Sequence, residues 1–251
     1  MNIGSYRGAA SLAAYEKWQT VTSQNIAASS MAGYKKTEVS FESVASDMMK
    51  VNSSGSMASE SKGVMPRVDT KTNFTQGQLH RTGSELDFAI QGNGFFQIQR
   101  ENGDIGYTRN GEFQLGPDRK LVTKQGLPVM GDSGPIVLNP GGGAISINSE
   151  GSILQGAQIV GKLAIADSKN PQDLRRLGDV MFGSATPGQK LDKMENPQIV
   201  NGYVEASNVT PLTEMVNLIT VSRAYEASQK AMINDGESTD KAIQILGNPQ
   251  A

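Results

Sequence analysis

The chain has 251 residues, enough for one large domain or two to three small ones, and 37% hydrophobic content is compatible with packed cores. Its 23 Lys and Arg nearly balance 25 Asp and Glu, so a formal net charge of −2 gives no field that would attract nucleic acid or an anionic membrane. The absence of Cys excludes disulfides and thiolate chemistry, and one histidine, His80, excludes sites that need two imidazoles.

The first segment, residues 1 to about 30, has small and apolar residues at helical spacing. Its stripe consists of Ala10, Ala14, Trp18, Val21, Asn25 and Ala28. The small residues permit close approach of another helix, Trp18 is the one large anchor, and Gly33 is expected to end the helix. Two interpretations stay open: the stripe faces the chain's own core, or it forms a seam with another chain.

The same segment does not have the pattern of a secretory signal peptide. Glu16 and Lys17 interrupt it, and it lacks an unbroken apolar core of seven or more residues. No window approaches 18 uninterrupted apolar residues, so we expect no membrane insertion. A protein that works outside the cytoplasm would then need another export route.

The middle of the chain changes to β-type patterns. Residues 34–81 are predicted to form an extended connector rich in Ser, Gly and Met, and residues 82–204 a mainly antiparallel β domain, either a sandwich or an irregular barrel. Leu86, Phe88 and Ile90 alternate with polar residues, and Asn93 with Gly94 is predicted to form a hairpin turn before the next strand.

A second helix is predicted from Thr210, which can cap it, with Pro211 at its first position and Glu214 near its positive end. One stripe has heptad spacing and consists of Leu218, Val221, Tyr225, Met232, Thr239 and Leu246. A second, rotated face consists of Leu212, Met215, Val216 and Ile219. Two apolar faces indicate two helical neighbours, and Gly236 is expected to break or kink the helix.

These patterns predict an α+β fold in which the N- and C-terminal helices pair as a coiled-coil-like layer. The expected divisions are a terminal helical assembly domain (residues 1–33 with 205–251), the connector and the β domain. No cofactor, metal or catalytic site is predicted. Gly141 to Gly143 lack the Lys and Ser or Thr of a phosphate loop, and the acidic residues Asp235, Glu237 and Asp240 lack calcium-loop spacing.

Three stretches together resemble the flagellar basal-body rod and hook family. They are SQNIAASSMAGYKK at residues 23–36, the run from ELDFAIQGNGFFQIQ through GYTRNGEFQLGPDRKLVTKQGLPVMG, and NGYVEASNVTPLTEMVNLITVSRAYEASQKAM at residues 201–232. GDSGPIVL and VGKLAIADSKNPQDLRRLGDVMF are closer to the proximal-rod members than to the distal-rod members. The match includes Asn25, Gly33, Lys35 and Glu205.

The resemblance implies a structural subunit and not an enzyme. Such a subunit is exported unfolded by the flagellar type III apparatus, without a cleaved signal peptide, and is assembled across the periplasm into a torque-transmitting rod. Its partners would be other proximal and distal rod proteins and its own copies. We expect the assembly interface to consist of Ala14, Trp18, Val21, Asn25, Leu218, Val221, Tyr225 and Met232.

Two alternatives remain. A distal-rod or hook subunit of the same family would differ in position along the axis and not in physical class. A periplasmic cell-wall-cleaving enzyme would need two carboxylates at a defined separation in a cleft, and no such pair stands out in the sequence.

Overall fold

The computed structural model describes residues 3–46, 63–148, 150–178, 180–186 and 189–247. These residues form two α-helices, α1 (Ile3–Ala27) and α2 (Pro211–Gly247), one short 3-10 helix (Pro171–Asp173), and nineteen strands. The terminal helices and the antiparallel β region between them confirm the predicted α+β class.

The first ten strands are β1 (Thr37–Ser46), β2 (Gly63–Thr72), β3 (Leu79–Arg81), β4 (Phe88–Gln91), β5 (Phe95–Gln99), β6 (Ile105–Thr108), β7 (Phe113–Leu115), β8 (Leu121–Thr123), β9 (Met130–Gly131) and β10 (Gly134–Pro135). The other nine are β11 (Ile145–Ile147), β12 (Ser152–Gln155), β13 (Gln158–Lys162), β14 (Ile165–Asp167), β15 (Leu174–Arg176), β16 (Met181–Ser184), β17 (Asp192–Lys193), β18 (Gln198–Asn201) and β19 (Tyr203–Glu205).

The described residues divide into two compact units. Unit 1 comprises the described parts of Met1–Ile26, Thr37–Lys71 and Thr210–Ala251, and unit 2 those of Ala27–Lys36 and Thr72–Val209. Unit 1 therefore contains α2, all of α1 but its last residue, β1, and all of its partner strand β2 except Thr72. Unit 2 contains the other sheets and also a short N-terminal segment, Ala27–Lys36.

The largest sheet of unit 2 has six strands in the order β15-β16-β6-β5-β14-β17. Its neighbouring strands are antiparallel, for example Phe96 opposite Thr108 and Ile165 opposite Phe96. Successive side chains of a strand point to opposite faces. Phe96 accordingly joins the main hydrophobic core, whereas Phe95 packs in a second core with Tyr107 and Phe182. The central strand β5 is thus buried on both faces.

The predicted hairpin at Asn93 and Gly94 is wrong. β4 pairs with β18, more than a hundred residues later, whereas β5 pairs with β6 and β14. Gly94 does form a tight connection, with φ of +111°, and a Cβ there would lie 2.8 Å from Cγ2 of Ile165. The turn pattern was real, but long-range pairing of β4, whose residues Phe88 to Ile90 are buried, decided its sheet partner.

The two helices differ from their predicted ends and interruptions. α1 ends at Ala27, and Gly33 lies beyond it in a turn with φ of +71°. α2 begins at Pro211 as predicted, but it continues through Gly236 without a break. A single glycine costs a helix about 1 kcal/mol, which the many other bonds of a 37-residue helix offset. Neither helix, within the residues described, is long and apolar enough to cross a membrane.

Candidate assembly site

One side of α2 is buried in unit 1, and it follows the predicted heptad stripe. Val221 is fully buried, and Leu218, Tyr225 and Met232 are partly buried. Glu214, which was expected only to complement the helix dipole, also lies on this side and is buried. The stripe therefore faces protein within this chain.

The predicted α1 stripe is also largely covered. Ala14, Val21 and Asn25 are buried, and Trp18 is partly buried. Trp18 packs edge-on against Phe41 of β1, with ring centroids 5.4 Å apart. Phe41 was not predicted to take part, because nothing in the sequence indicates which residue of a strand will meet a distant helix.

α1 and α2 lie against each other within unit 1. Asn25 Nδ2 lies 3.3 Å from Glu214 Oε2, and Gln19 Nε2 lies 3.5 Å from Ser222 Oγ. At Gly8, a Cβ would come within 3.3 Å of the Met232 side chain. The structure thus brings the predicted residues Asn25 and Met232 to the opposite helix, at two different levels.

Asn25 also fixes the start of β1. Its Nδ2 donates to the carbonyl oxygen of Thr37 at 2.8 Å, and its Oδ1 accepts from the backbone N–H of Thr37 at 3.0 Å. A side-chain amide can make both bonds at once because it has a donor and an acceptor. This explains a polar residue in an otherwise small and apolar stripe.

The opposite side of α2 is exposed over its first turns. We call Leu212, Met215, Val216 and Ile219 the outer face; they are 73%, 50%, 57% and 55% exposed. At 3.6 residues per turn they lie on the side of the helix away from Val221. Single exposed apolar residues are ordinary, but four neighbours in two turns form a patch of the kind that binds another protein.

Unit 2 contains a buried polar cluster, which we call the clasp: Lys35, Arg109 and Glu205. Glu205 accepts from Lys35 Nζ at 2.5 Å through Oε1 and from Arg109 Nη1 at 3.2 Å through Oε2. The three side chains are 1%, 5% and 1% exposed. Lys35 Nζ also donates to the Thr75 carbonyl, and Arg109 Nη1 to the Gly92 carbonyl. One carboxylate thus serves two buried cations.

Burial dominates the electrostatics of the clasp. Desolvation lowers the pKa of Lys35, and the charge and hydrogen bond of Glu205 oppose that shift without cancelling it. The pKa of Arg109 is lowered for the same reason. Isolated buried charges are expensive, so the clasp depends on its carboxylate.

Asn208 ties together the chain segments around the clasp. Its Oδ1 accepts from the backbone N–H of Lys36 at 2.7 Å, and its Nδ2 donates to the carbonyls of Asn73 and Thr75 at 2.9 and 3.0 Å. Gly33 N–H donates to the Glu205 carbonyl at 2.7 Å. Hydrogen bonds therefore hold together three segments of unit 2: residues 33–36, 73–75 and 205–208.

Sequence reasoning missed the clasp. Lys35 and Glu205 belong to the recognised motifs but had no assigned role, because a charged residue is normally exposed and its spatial partner is 170 positions away. The one sequence feature that could have indicated a role was that both residues lie within the recognised motifs.

The histidine and the acidic residues considered for chemistry are exposed. His80 is exposed on β3, and Asp235, Glu237 and Asp240 are exposed on α2. Among the side chains that the structure describes, no three His, Asp or Glu residues are grouped to hold a metal ion.

Comparison with known proteins gives the same family for the second and third of the three motif stretches. Residues 89–155 match the flagellar hook protein FlgE/F/G D1 domain, and residues 200–245 match the C-terminal domain of flagellar basal-body rod FlgEFG proteins. The second match spans Glu205, Asn208 and most of α2.

Full-length relatives extend this likeness. The flagellar basal-body rod protein FlgF of Rhizobium meliloti is 35% identical over 98% of this chain and 99% of its own. FlgF of Caulobacter vibrioides is 37% identical over 70% of this chain and 71% of its own. FlgG of Buchnera aphidicola (subspecies Schizaphis graminum) is 32% identical over 90% and 92%. The chain belongs to the FlgE/F/G family of flagellar basal-body rod and hook proteins, is structural and not an enzyme, and is most like the family's FlgF members.

Proposed function

We propose that the chain is a subunit of the proximal part of the flagellar rod and that it assembles through its terminal helices into a helical axle that transmits torque. Export through the flagellar type III apparatus and assembly across the periplasm belong to the same proposal. The partners are neighbouring rod proteins and further copies of this chain.

The outer face of α2 is the observation that supports this proposal most directly. Burying an apolar side chain of this size contributes about 1.5 to 3 kcal/mol, so covering four of them would stabilise a subunit contact substantially. Such contacts must be heterologous, joining different surfaces of successive subunits, because self-complementary contacts would close into a dimer and stop growth. An apolar face that is exposed on one side of α2, while the other apolar face is buried within the chain, is suited to that geometry.

The residues predicted for the assembly interface have a different role in the proposal from that of the outer face. Ala14, Trp18, Val21 and Asn25 on α1, with Leu218, Val221, Tyr225 and Met232 on α2, pair the terminal helices in a coiled-coil-like manner. Their burial and the bond between Asn25 and Glu214 support this pairing. The helix pair is the assembly domain, and the β domain supplies further contacts that set the subunit's position.

The substitution Ile219→Asp tests the proposal. It places a charge on the outer face without touching the buried stripe. We expect the full-length variant to fold but to be lost from purified basal bodies, and cells that rely on it to stop swimming, because a buried unpaired carboxylate would prevent the contact.

Ala231→Asp is the matched control, since Ala231 is exposed on a flank of α2 away from the outer face. Its helix-propensity cost is larger than that of Ile219→Asp, because Ala is a better helix former than Ile, and it should still incorporate normally. Normal incorporation of a folded Ile219→Asp variant would refute assembly through the outer face.

A distal-rod position is the second candidate, favoured by the FlgG relative at 32% identity. Crosslinking in intact cells discriminates between the two positions. Because the chain lacks Cys, a single Ile219→Cys substitution gives one defined crosslinking site. Crosslinks to subunits at the inner-membrane end of the rod support the proximal position, and crosslinks only to hook or distal subunits support the alternative.

A further inference from the structure

The charge balance of unit 2 is completed by a residue close to its C-terminal end. Glu205 follows Lys35 by 170 positions and Arg109 by 96, and it forms an ion pair with each. Both cations are almost fully buried. Without the Glu205 carboxylate, neither cation keeps the ion pair that offsets its desolvation.

The neighbouring strands show the same dependence. β4, with Phe88, Ala89 and Ile90 buried, has β18 as its sheet partner, and β3 has β19. A chain that ends before residue 198 thus leaves a buried strand with unpaired backbone groups, which adds a second desolvation cost to that of the unpaired cations.

The N-terminal segment of unit 2 is held by the same late residues. Gly33 N–H donates to the Glu205 carbonyl, and Lys36 N–H donates to Asn208 Oδ1. Residues 33–36 are synthesised early, yet these bonds wait for residues 205–208. The last part of unit 2 therefore supplies the backbone partners of its first part.

We propose that residues 198–209 form a folding latch: unit 2 reaches its native state only after these residues are available, so a chain that emerges N-terminus first keeps unit 2 unfolded until then. Glu205 is the centre of the latch because it contributes a strand position, a backbone acceptor and the shared carboxylate. The latch delays folding through topology and charge and needs no partner. It holds whether or not the proposed place in the rod is correct.

The latch predicts a sharp length dependence during synthesis. Nascent chains of graded length can each be ended in a translational arrest sequence that is released by the force of folding. We expect release by unit 2 to begin only when the chain is long enough to place Val209 outside the ribosome tunnel. Release at chain lengths that keep residues 198–209 inside the tunnel would overturn the proposal.

Refolding of the complete free chain tests the order of folding without any change in chain length. In pulsed hydrogen exchange, amides of β4, β5 and β6 should become protected in the same phase as those of β18 and β19. Protection of β4 to β6 in an earlier phase would contradict the latch.

Two matched variants identify the responsible group. Glu205→Gln keeps the size and the backbone but removes the charge, and it should delay or abolish protection throughout unit 2. Glu195→Gln, at an exposed position of the same region, should refold like the unsubstituted chain. If Glu205→Gln refolds with unchanged kinetics and protection, the carboxylate is not the centre of the latch and the proposal fails.

Discussion

Glu205 and Asn25 show how buried polar residues organise this protein. Glu205 satisfies two cations in unit 2, and Asn25 binds both backbone groups of Thr37 in unit 1. A buried polar group costs free energy unless it is hydrogen-bonded, so each of these residues favours the arrangement of the segments it contacts. Neither role follows from helical or β periodicity, which reports only which positions are apolar.

At Gly33 both the backbone conformation and the lack of space around the Cα atom require glycine. Its φ is +71°, and a Cβ would lie 2.2 Å from the backbone nitrogen of Asn110. Gly83 has a similar φ of +75° but has no atom within 4 Å of its Cβ position. Comparing substitutions at the two positions therefore distinguishes the cost of conformational strain from the cost of steric overlap.

We predict that Gly83→Ala destabilises unit 2 by about 1 to 2 kcal/mol, the cost of a left-handed non-glycine residue. Gly33→Ala should cost about 1 to 3 kcal/mol more, because the turn must also move away from Asn110. Hydrogen exchange of β4 to β6 amides in increasing urea measures unit 2 separately from unit 1. Equal losses for the two variants would show that the close approach at Gly33 has no energetic effect.

At the scale of elements, α2 is the helix whose two faces were best predicted. Its start at Pro211, its buried stripe and its rotated second face all follow from sequence spacing. The expected interruption at Gly236 was wrong, since propensity at one position is small compared with the bonds of a long helix. The sequence patterns located α2 correctly but overestimated how much Gly236 destabilises the helix.

Gly236 gives a test of that balance. Gly236→Ala should stabilise α2 by about 1 kcal/mol, because the added methyl group meets no atom within 4 Å and the helix loses less backbone entropy. Gly8→Ala should gain less, since its Cβ would lie 3.3 Å from the Met232 side chain. Thermal loss of helical circular dichroism compares the two variants, and a lowered midpoint for Gly236→Ala would contradict the expectation.

Among the strands, sequence reasoning succeeded with alternation and failed with pairing. Phe88 and Ile90 were placed in a strand, and both are in the main core. Their partners could not be deduced, because short strands of similar composition can pair in many orders. The separation of β4 from β5 at Gly94 is the clearest example.

At the scale of the whole molecule, composition and motifs predicted more about function than about geometry. The absence of Cys and the single His80 removed most enzyme classes, and the terminal and central motifs identified a structural family. The division into units was less accessible, because unit 2 includes Ala27–Lys36 from the N-terminal region. Contacts between residues so far apart in sequence become visible only in three dimensions.

A density map of the assembled rod, at a resolution that shows side chains, tests the central proposal most directly. We predict that α1 and α2 of each copy of this chain lie together in the inner helical layer, with Leu212, Met215, Val216 and Ile219 packed against a neighbouring subunit. A map in which this outer face is uncovered, and in which subunits meet only through their β domains, would contradict assembly through the terminal helices.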